Sequence, residues 1–371
     1  MPYYFPLRWN FTADEAAHTA ERLLRLRRQM RAEIPERSVN DTLLLATWNL
    51  RDFDSNKFGH GPRLKESLFY IAEIISGFDL IALQEVNEDL TALQKIMRIL
   101  GPQWDYIATD QTAGVSGNNE RMAYVYDKRK VHFEKIAGEI VLPDSRLVGG
   151  NRQFARTPFL VAFQSGWLRF MICTVHIYYG ADSGDRLARR IAEIEALVEM
   201  LSRRADDEAA NYIVLGDFNI VSPEHQTMAA LQRRGFTVAE ALSRLPSNIQ
   251  QNKHYDQIAF KPREGQLQFN GRAGVFNLYD TLFKRDDFAY YAERMGKRAE
   301  LAVGPDGKPA FSQANLSYYE DVWRTFQVSD HLPMWVELNI NFADAYLAQF
   351  LSSSFSVPAE HPLSFSMPEL E

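Results

Sequence analysis

Four apolar runs each end in a polar side chain suited to a metal or a phosphate. Leu43–Trp48 leads to Asn49, and Leu80–Leu83 leads to Gln84-Glu85. Phe170–Val175 leads to His176, and Tyr212–Gly216 leads to Asp217-Phe218-Asn219. Two further groups have the reverse order: Tyr255-Asp256 opens the run to Phe260, and Ser329-Asp330-His331 precedes Met334–Ile340. Open α/β sheets gather ligands beyond their strand ends. Carboxylate oxygens suit Mg²⁺, which takes one or two carboxylates plus substrate phosphate. Imidazole and amide groups can donate hydrogen bonds to phosphoryl oxygens as charge builds there. These residue types fit metal-assisted phosphoester hydrolysis. Zinc fits poorly, since the chain has one cysteine, no HExxH and no close histidine pair. Each feature alone has an ordinary explanation: a loop, a hydrogen-bonded histidine, a Gly-Asp turn. Their joint order is what chance does not supply.

The elements that must position these groups alternate along the chain. Strand character is expected at Thr42–Trp48, Asp79–Leu83, Met122–Tyr126, Pro158–Phe163, Leu168–Ile177, Tyr212–Leu215, Tyr255–Phe260 and Met334–Ile340. Helical spacing is expected over Arg63–Ile75, Leu90–Leu100 and Asp185–Leu201, with a cap at Ser222-Pro223. Residues 12–32 read as a helix capped by Thr12. Its Arg22, Arg25, Arg27, Arg28 and Arg31 read as a solvated face on a helix packed against the main domain, with a phosphate-binding arm as the alternative. Mixed strands and helices through one span predict a layered α/β domain. We divide the chain into an N-terminal helical extension (1–40), a main domain (41–341) and a tail (342–371). Residues 262–327 form an inserted segment with a helix near Asp286–Met295 and a turn at Gly304–Lys308, and 352–371 is rich in Ser and Pro.

Composition narrows the function classes. The 371 residues are 46% hydrophobic and 24% charged, which excludes global disorder. A net charge of −7 excludes a protein that coats nucleic acid by bulk charge, although local basic patches remain open. Cys173 is alone, so no intramolecular disulfide forms. The N-terminus lacks a basic start, an apolar stretch and a small-residue cleavage site, and no apolar run nears the roughly 18 residues of a membrane span. A cytoplasmic protein with no membrane insertion is expected.

The ordered motifs resemble the endonuclease/exonuclease/phosphatase superfamily, and within it pancreatic-type deoxyribonuclease. The resemblance runs from Trp48 to Glu337. It is carried by Trp48-Asn49, Gln84-Glu85, Glu120-Arg121, Arg156-Thr157-Pro158, Thr174-Val175-His176, Gly216-Asp217-Phe218-Asn219, Tyr255-Asp256-Gln257-Ile258 and Ser329-Asp330-His331-Leu332-Pro333. It implies a four-layer α/β/β/α sandwich, two mixed β-sheets flanked by helices. It implies that Glu85, Asn49 and Asp330 bind Mg²⁺ or Mn²⁺. Asp217 would orient or deprotonate the attacking water, and Asn219 would hold a phosphate oxygen. His176 and His331 would flank the scissile phosphate, oriented by Glu120 and Asp256. Arg156 would contact a phosphate, and Arg51 matches a family arginine near the site. The residues themselves leave open whether Asp217 or a histidine is the base.

Departures from the deoxyribonuclease pattern bear on substrate. Asn87 stands where the family's minor-groove arginine is expected, and Asn118 where its groove-contacting tyrosine is expected. Both read as solvated loop residues rather than as new base readout. Ser247–His254 has no clear counterpart of the secreted enzymes' calcium loop, and the disulfides are missing. The 74-residue step from Asp256 to Asp330 marks the inserted segment. Its Tyr290, Tyr291, Arg294 and Lys297 read equally as substrate contacts or as cover for a sheet edge. The leading expectation is a metal-dependent nuclease acting on DNA, single strands included. The alternative is a phosphodiesterase or phosphatase for a small phosphoester: a phospholipid head group, an inositol phosphate or a nucleotide. A catalytically silent interaction module is the third class. It predicts loss of a catalytic side chain, and none is lost.

Overall fold

Leu43 and Leu45 face one hydrophobic core, while Leu44, Ala46 and Trp48 face another. A strand buried on both faces needs a covering layer on each side. The structure, a computed structural model, describes residues 2–60, 62–112, 118–149, 152–263, 266–298, 302–303, 309–310 and 312–351. The helices are α1 (Leu7–Asn10), α2 (Ala13–Glu33), α3 (Lys65–Ile75), α4 (Thr91–Leu100), α5 (Gly184–Glu208), α6 (Gln226–Leu231), α7 (Glu240–Ser243), α8 (Phe288–Tyr291), α9 (Gln313–Tyr318), α10 (Arg324–Gln327) and α11 (Ala343–Leu351). The strands are β1 (Thr42–Phe53), β2 (Leu80–Val86), β3 (Trp104–Ala108), β4 (Arg121–Asp127), β5 (His132–Glu139), β6 (Phe159–Ser165) and β7 (Leu168–His176). They continue as β8 (Asn211–Asp217), β9 (Thr237–Val238), β10 (Asp256–Lys261), β11 (Gln268–Val275), β12 (Ala302–Val303), β13 (Pro309–Ala310) and β14 (Met334–Asn339).

Two six-stranded sheets form the middle layers, in the orders β11-β14-β1-β2-β4-β3 and β5-β6-β7-β8-β10-β9. Each is mixed: β1 and β2 run parallel in the first, β7 and β8 in the second. Leu43, Leu45, Phe163, Phe170, Ile213 and Leu338 fill the core between the sheets. The outer face of the first sheet packs on α2, α3 and α4 through Leu26, Ile71, Ile74 and Ile96. The outer face of the second packs on α5 through Ile194, Leu197 and Leu201, with Cys173 buried in that layer. This is the expected four-layer sandwich.

Local chemistry explains the start of α2. Thr12 caps α2 with a reciprocal box: Glu15 N–H donates to Thr12 Oγ1, and Thr12 N–H donates to Glu15 Oε2. The arginine face of α2 is partly spent on packing contacts. Arg22 pairs with Asp287, and Arg27 reaches Glu73 at 2.7 Å. The helix over residues 12–32 packs on the domain as expected, but Arg22 and Arg27 are drawn from the solvated face into ion pairs.

Several expectations need correction. Ser222-Pro223 does not cap a helix. Residues 222–225 close a turn through His225 N–H to Ser222 O, and α6 starts after His225, which accepts from Thr227 N–H. The helix foreseen over Asp286–Met295 is one α-turn, α8, between 3-10 turns. Tyr290, Tyr291 and Arg294 turn toward α2 and α3: Tyr290 stacks on His18 at 3.6 Å, Tyr291 donates to Glu66, and Arg294 covers Tyr290. Strands β3, β5, β9, β11, β12 and β13 lie outside the expected runs, and β11 makes part of the inserted segment an edge strand of the first sheet. The Gly304–Lys308 turn and residues 352–371 lie outside the described residues, while α11 occupies the start of the tail.

Candidate active site

The two parallel strand pairs end at the same rim of the sandwich. In the first sheet Asn49 is level with Gln84, and Glu85 follows at a register shift. In the second, Asp217 is level with His176 on one side and Asp256 on the other. Gln84 joins the two sheets from inside, donating to Thr47 Oγ1 at 3.0 Å and Thr174 Oγ1 at 2.8 Å.

The rim backbone is unusual where the side chains must turn inward. Arg51, Asp52, Glu85 and Asn219 all have positive φ, between 41° and 57°. Such conformations cluster where surrounding structure holds them for function. Gly216 precedes Asp217 at φ +133°, and a Cβ there would lie 2.2 Å from Val175 O. The Gly of Gly-Asp-Phe-Asn is therefore required by the close approach of β7 and β8.

Asn49, Glu85 and Asp217 form one hydrogen-bonded set across the sheets. Asn49 Nδ2 donates to Glu85 Oε1 at 2.9 Å and to Asp217 Oδ2 at 3.1 Å. The second Glu85 oxygen accepts from Asp52 N–H at 2.8 Å. Asp217 Oδ2 lies 3.6 Å from His176 Nε2 and 3.7 Å from His331 Nε2. Asp217 Oδ1 accepts the Asn219 N–H at 2.9 Å.

Each imidazole has a carboxylate behind it. His176 Nδ1 is 3.0 Å from Glu120 Oε2, and His331 Nδ1 is 2.7 Å from Asp256 Oδ2. Arg156 stands behind the first pair, with Nε 2.6 Å from Glu120 Oε2 and Nη2 3.3 Å from Oε1. Asn118 Nδ2 also donates to Glu120, at 3.0 Å. Burial would raise the Glu120 carboxyl, but His176 and Arg156 hold it well below the usual range. Burial likewise works against the charge of Asp217, and His331, His176 and the Asn219 N–H outweigh it, so its pKa is lowered. For Asp256 burial prevails and the pKa is raised. Burial opposes a charged His331, yet Asp256 and Asp217 raise its pKa well above the ordinary value.

Asp330 and Arg51 sit beside this centre. Arg51 Nη1 is 3.4 Å from Asp330 Oδ2, its guanidinium covers the Phe326 ring at 3.9 Å, and it donates to Thr325 Oγ1. The inserted segment thus reaches the site through α10. Ser329 ties the last motif to the first strand, donating to Asn49 O at 2.6 Å while accepting the His331 N–H at 2.9 Å.

Asn49, Glu85, Glu120, His176, Asp217, Asp256 and His331 come together, while Asn219 joins them through its backbone N–H, its side-chain amide donating to Ile177 O at 2.9 Å instead of standing free for a phosphate oxygen. Arg156 approaches through Glu120, and Asp330 through Arg51. Asn87, expected as a solvated loop residue, is instead buried, because its amide donates to Asp52 Oδ1 at 2.8 Å. Sequence reasoning missed Thr325, Phe326 and Arg190. Arg190 is fully buried and donates to Asn219 O at 2.9 Å. Its signal was a charged residue on the apolar stripe with Ile194 and Leu197.

The site is rich in hard oxygen donors, with a tight cluster of Asp217, Asp256 and His331 whose ligand-type atoms lie within 4.8 Å of one another. The short His331–Asp256 contact commits those two groups to each other. The Glu85 carboxylate, with Asn49 beside it, is therefore the better oxygen donor for a divalent cation.

Residues 46–331 match the model of the Endonuclease/Exonuclease/phosphatase family. No curated protein matches the chain. The human Nocturnin catalytic domain with bound sulfate anion is a similar solved structure, with 14% identity, 80% of this chain and 94% of that chain covered, and a TM-score of 0.51. An endonuclease/exonuclease/phosphatase family protein from Bacteroides thetaiotaomicron is 18% identical over 81% of this chain and 98% of its own, with a TM-score of 0.48. The mannosyl-6-phosphatase of the same organism is 17% identical over 80% and 99%, with a TM-score of 0.47. The Nocturnin likeness speaks to the fold. Among the described residues no helix is long and apolar enough to cross a membrane.

Proposed function

The chain belongs to the endonuclease/exonuclease/phosphatase family, and from that premise we propose that it is a divalent-metal-dependent phosphodiester hydrolase acting on DNA. One observation carries the reading: two carboxylate-backed imidazoles converge on the single carboxylate of Asp217, 3.6 and 3.7 Å away. A phosphodiester demands two proton movements, one from the attacking water and one to the leaving alkoxide. A site with one base between two imidazoles supplies both.

Glu85, Asn49 and Asp330 would hold Mg²⁺ or Mn²⁺, whose chemistry is to neutralise and polarise the phosphoryl oxygens. The remaining steps belong to the chain's own groups. Asp217, held below the usual carboxylate range, is ionised at neutral pH and accepts the proton of the attacking water. Asn219 anchors the Asp217 carboxylate through its N–H. His331, held charged by Asp256 and Asp217, donates to the leaving oxygen or to the charge growing beside it. His176, braced by Glu120, donates to a second phosphoryl oxygen. Arg156 and Asn118 fix Glu120 and act through it.

The small-phosphoester reading keeps one specific support. Asn87 is spent on Asp52 and Asn118 on Glu120, so both positions that would address a minor groove are turned to internal work. Purified protein incubated with plasmid and single-stranded DNA, with Mg²⁺ or Mn²⁺ and with EDTA, tests the proposal. Metal-dependent cutting that Asp217→Ala abolishes supports it. Absence of cutting with either metal, combined with phosphate release from inositol phosphates or nucleotides, transfers the assignment to the second reading.

A further inference from the structure

Beyond His331 the wall of the site becomes aromatic. The Tyr255 ring lies 5.6 Å from the His331 imidazole, tilted by 34°. Tyr179 meets Tyr255 edge to face, with centroids 6.4 Å apart and planes at 89°. The two ring spacings laid end to end put Tyr179 no more than about 12 Å from His331. Yet Tyr179 is 56% exposed, whereas His331 is buried. More than half of Tyr179 is therefore open to a partner within reach of the site.

Arg190, a residue with no part in the proposed chemistry, holds that ring in place. Its guanidinium lies over the Tyr179 ring, 5.6 Å from the centroid. From beneath the loop it donates to Asp182 Oδ1 at 3.0 Å and to the carbonyls of Gly180 and Ala181 at 3.3 Å each. The same guanidinium holds Asn219 O at 2.9 Å. Lys253 Nζ fixes the other Asp182 oxygen at 3.2 Å. The loop carrying Tyr179 is therefore tied to the Asp217-Phe218-Asn219 turn. An aromatic face already fixed loses little freedom when a flat partner lies on it. Rings beside a phosphate-binding centre are the platforms on which bases of a single strand stack.

We infer that Tyr179 is a specificity-determining platform that stacks a nucleobase flanking the scissile phosphate, with Tyr255 bracing its edge and Arg190 its inner face. The inference rests on the phosphodiesterase reading and deepens it: the preferred substrates carry bases next to the cleaved bond. Phospholipid head groups and inositol phosphates offer no flat π-face to this residue.

Two measurements test it. The first compares cleavage of a thymidyl dinucleotide with that of the analogue whose flanking nucleoside is a base-less tetrahydrofuran unit. The expected ratio of kcat/KM, base-bearing over base-less, exceeds about five. Tyr179→Ala should bring that ratio toward one, and Tyr179→Trp should restore it. A ratio near one in the unmodified protein, or one that Tyr179→Ala leaves unchanged, overturns the inference while the hydrolase assignment stands. The second measurement needs no turnover: quenching of a 2-aminopurine dinucleotide in EDTA. Quenching that Tyr179→Ala removes supports the platform even if no cleavage is found. Equal fluorescence with both proteins overturns it.

Discussion

His331 Nδ1 and Asp256 Oδ2 are 2.7 Å apart, and both side chains are closed off from solvent. The contact fixes which imidazole nitrogen faces Asp217, because the other is engaged. Asp256→Asn keeps the volume but removes the charge that holds His331 protonated. Turnover is expected to fall by about 10²- to 10⁴-fold, the usual scale for a lost acid–base function. Steady-state rates on the best substrate, with circular dichroism to establish folding, check this. A loss below tenfold would remove His331 from the proton-transfer role.

Glu120 is shared by His176 and Arg156, at 3.0 and 2.6 Å. Arg156→Ala leaves a buried carboxylate without the guanidinium beside it. Breaking such a pair from one side costs about 3–5 kcal/mol. The stability loss should be smaller for Glu120→Gln, and the double variant should fall well short of additivity. Urea unfolding of the three proteins measures the coupling. Additive losses would mean that Arg156 acts elsewhere.

Gln84 spans the sandwich between Thr47 and Thr174. Gln84→Leu would leave two buried hydroxyls without this partner, at about 1–3 kcal/mol each. The expected outcome is a lower Tm together with reduced turnover, since each sheet carries half of the site. A Tm loss with unchanged kcat would show that the sheets hold their spacing without it.

His18 on α2 stacks on Tyr290 at 3.6 Å and meets Tyr291 OH at 3.1 Å. Burial, helped by the nearby Arg22 charge, lowers its pKa to about 4. The unfolded chain takes up this proton near pH 6.5, while the folded chain resists until about pH 4. The contribution is therefore whole above about pH 6.5 and is lost as pH falls through that window. His18→Gln should flatten the Tm-against-pH curve between pH 7 and 4 relative to the unmodified protein. Parallel curves would contradict the assignment.

Much of this was legible in the sequence for definite reasons. Strands buried on both faces read as apolar runs, and their ends located Asn49, Glu85, His176 and Asp217. Gly216 read in the sequence only as part of a turn motif; that no side chain fits against Val175 O became plain with the strands paired. Edge strands were not legible. The poorly buried β5 and β11, with residues such as Lys135 and Arg272, carry no strong alternation. The partners of Arg51 were hidden because Thr325 and Phe326 come from a segment 274 residues away or more. Tyr290 and Tyr291 showed the converse: aromatic residues near a foreseen helix were ambiguous until their neighbours, His18 and Glu66, were known.

The division of the site between two sheets has a further consequence. Asn49 and Glu85 ride on one layer, and His176, Asp217 and Asp256 on the other, so the gap between layers sets the distances across the candidate site. Residues that never see substrate, such as Leu45 and Phe163, therefore act as spacers. Enlarging or shrinking them tunes the reach from Glu85 to Asp217. Evolution can then adjust the chemistry of this enzyme by changing the thickness of its hydrophobic interior.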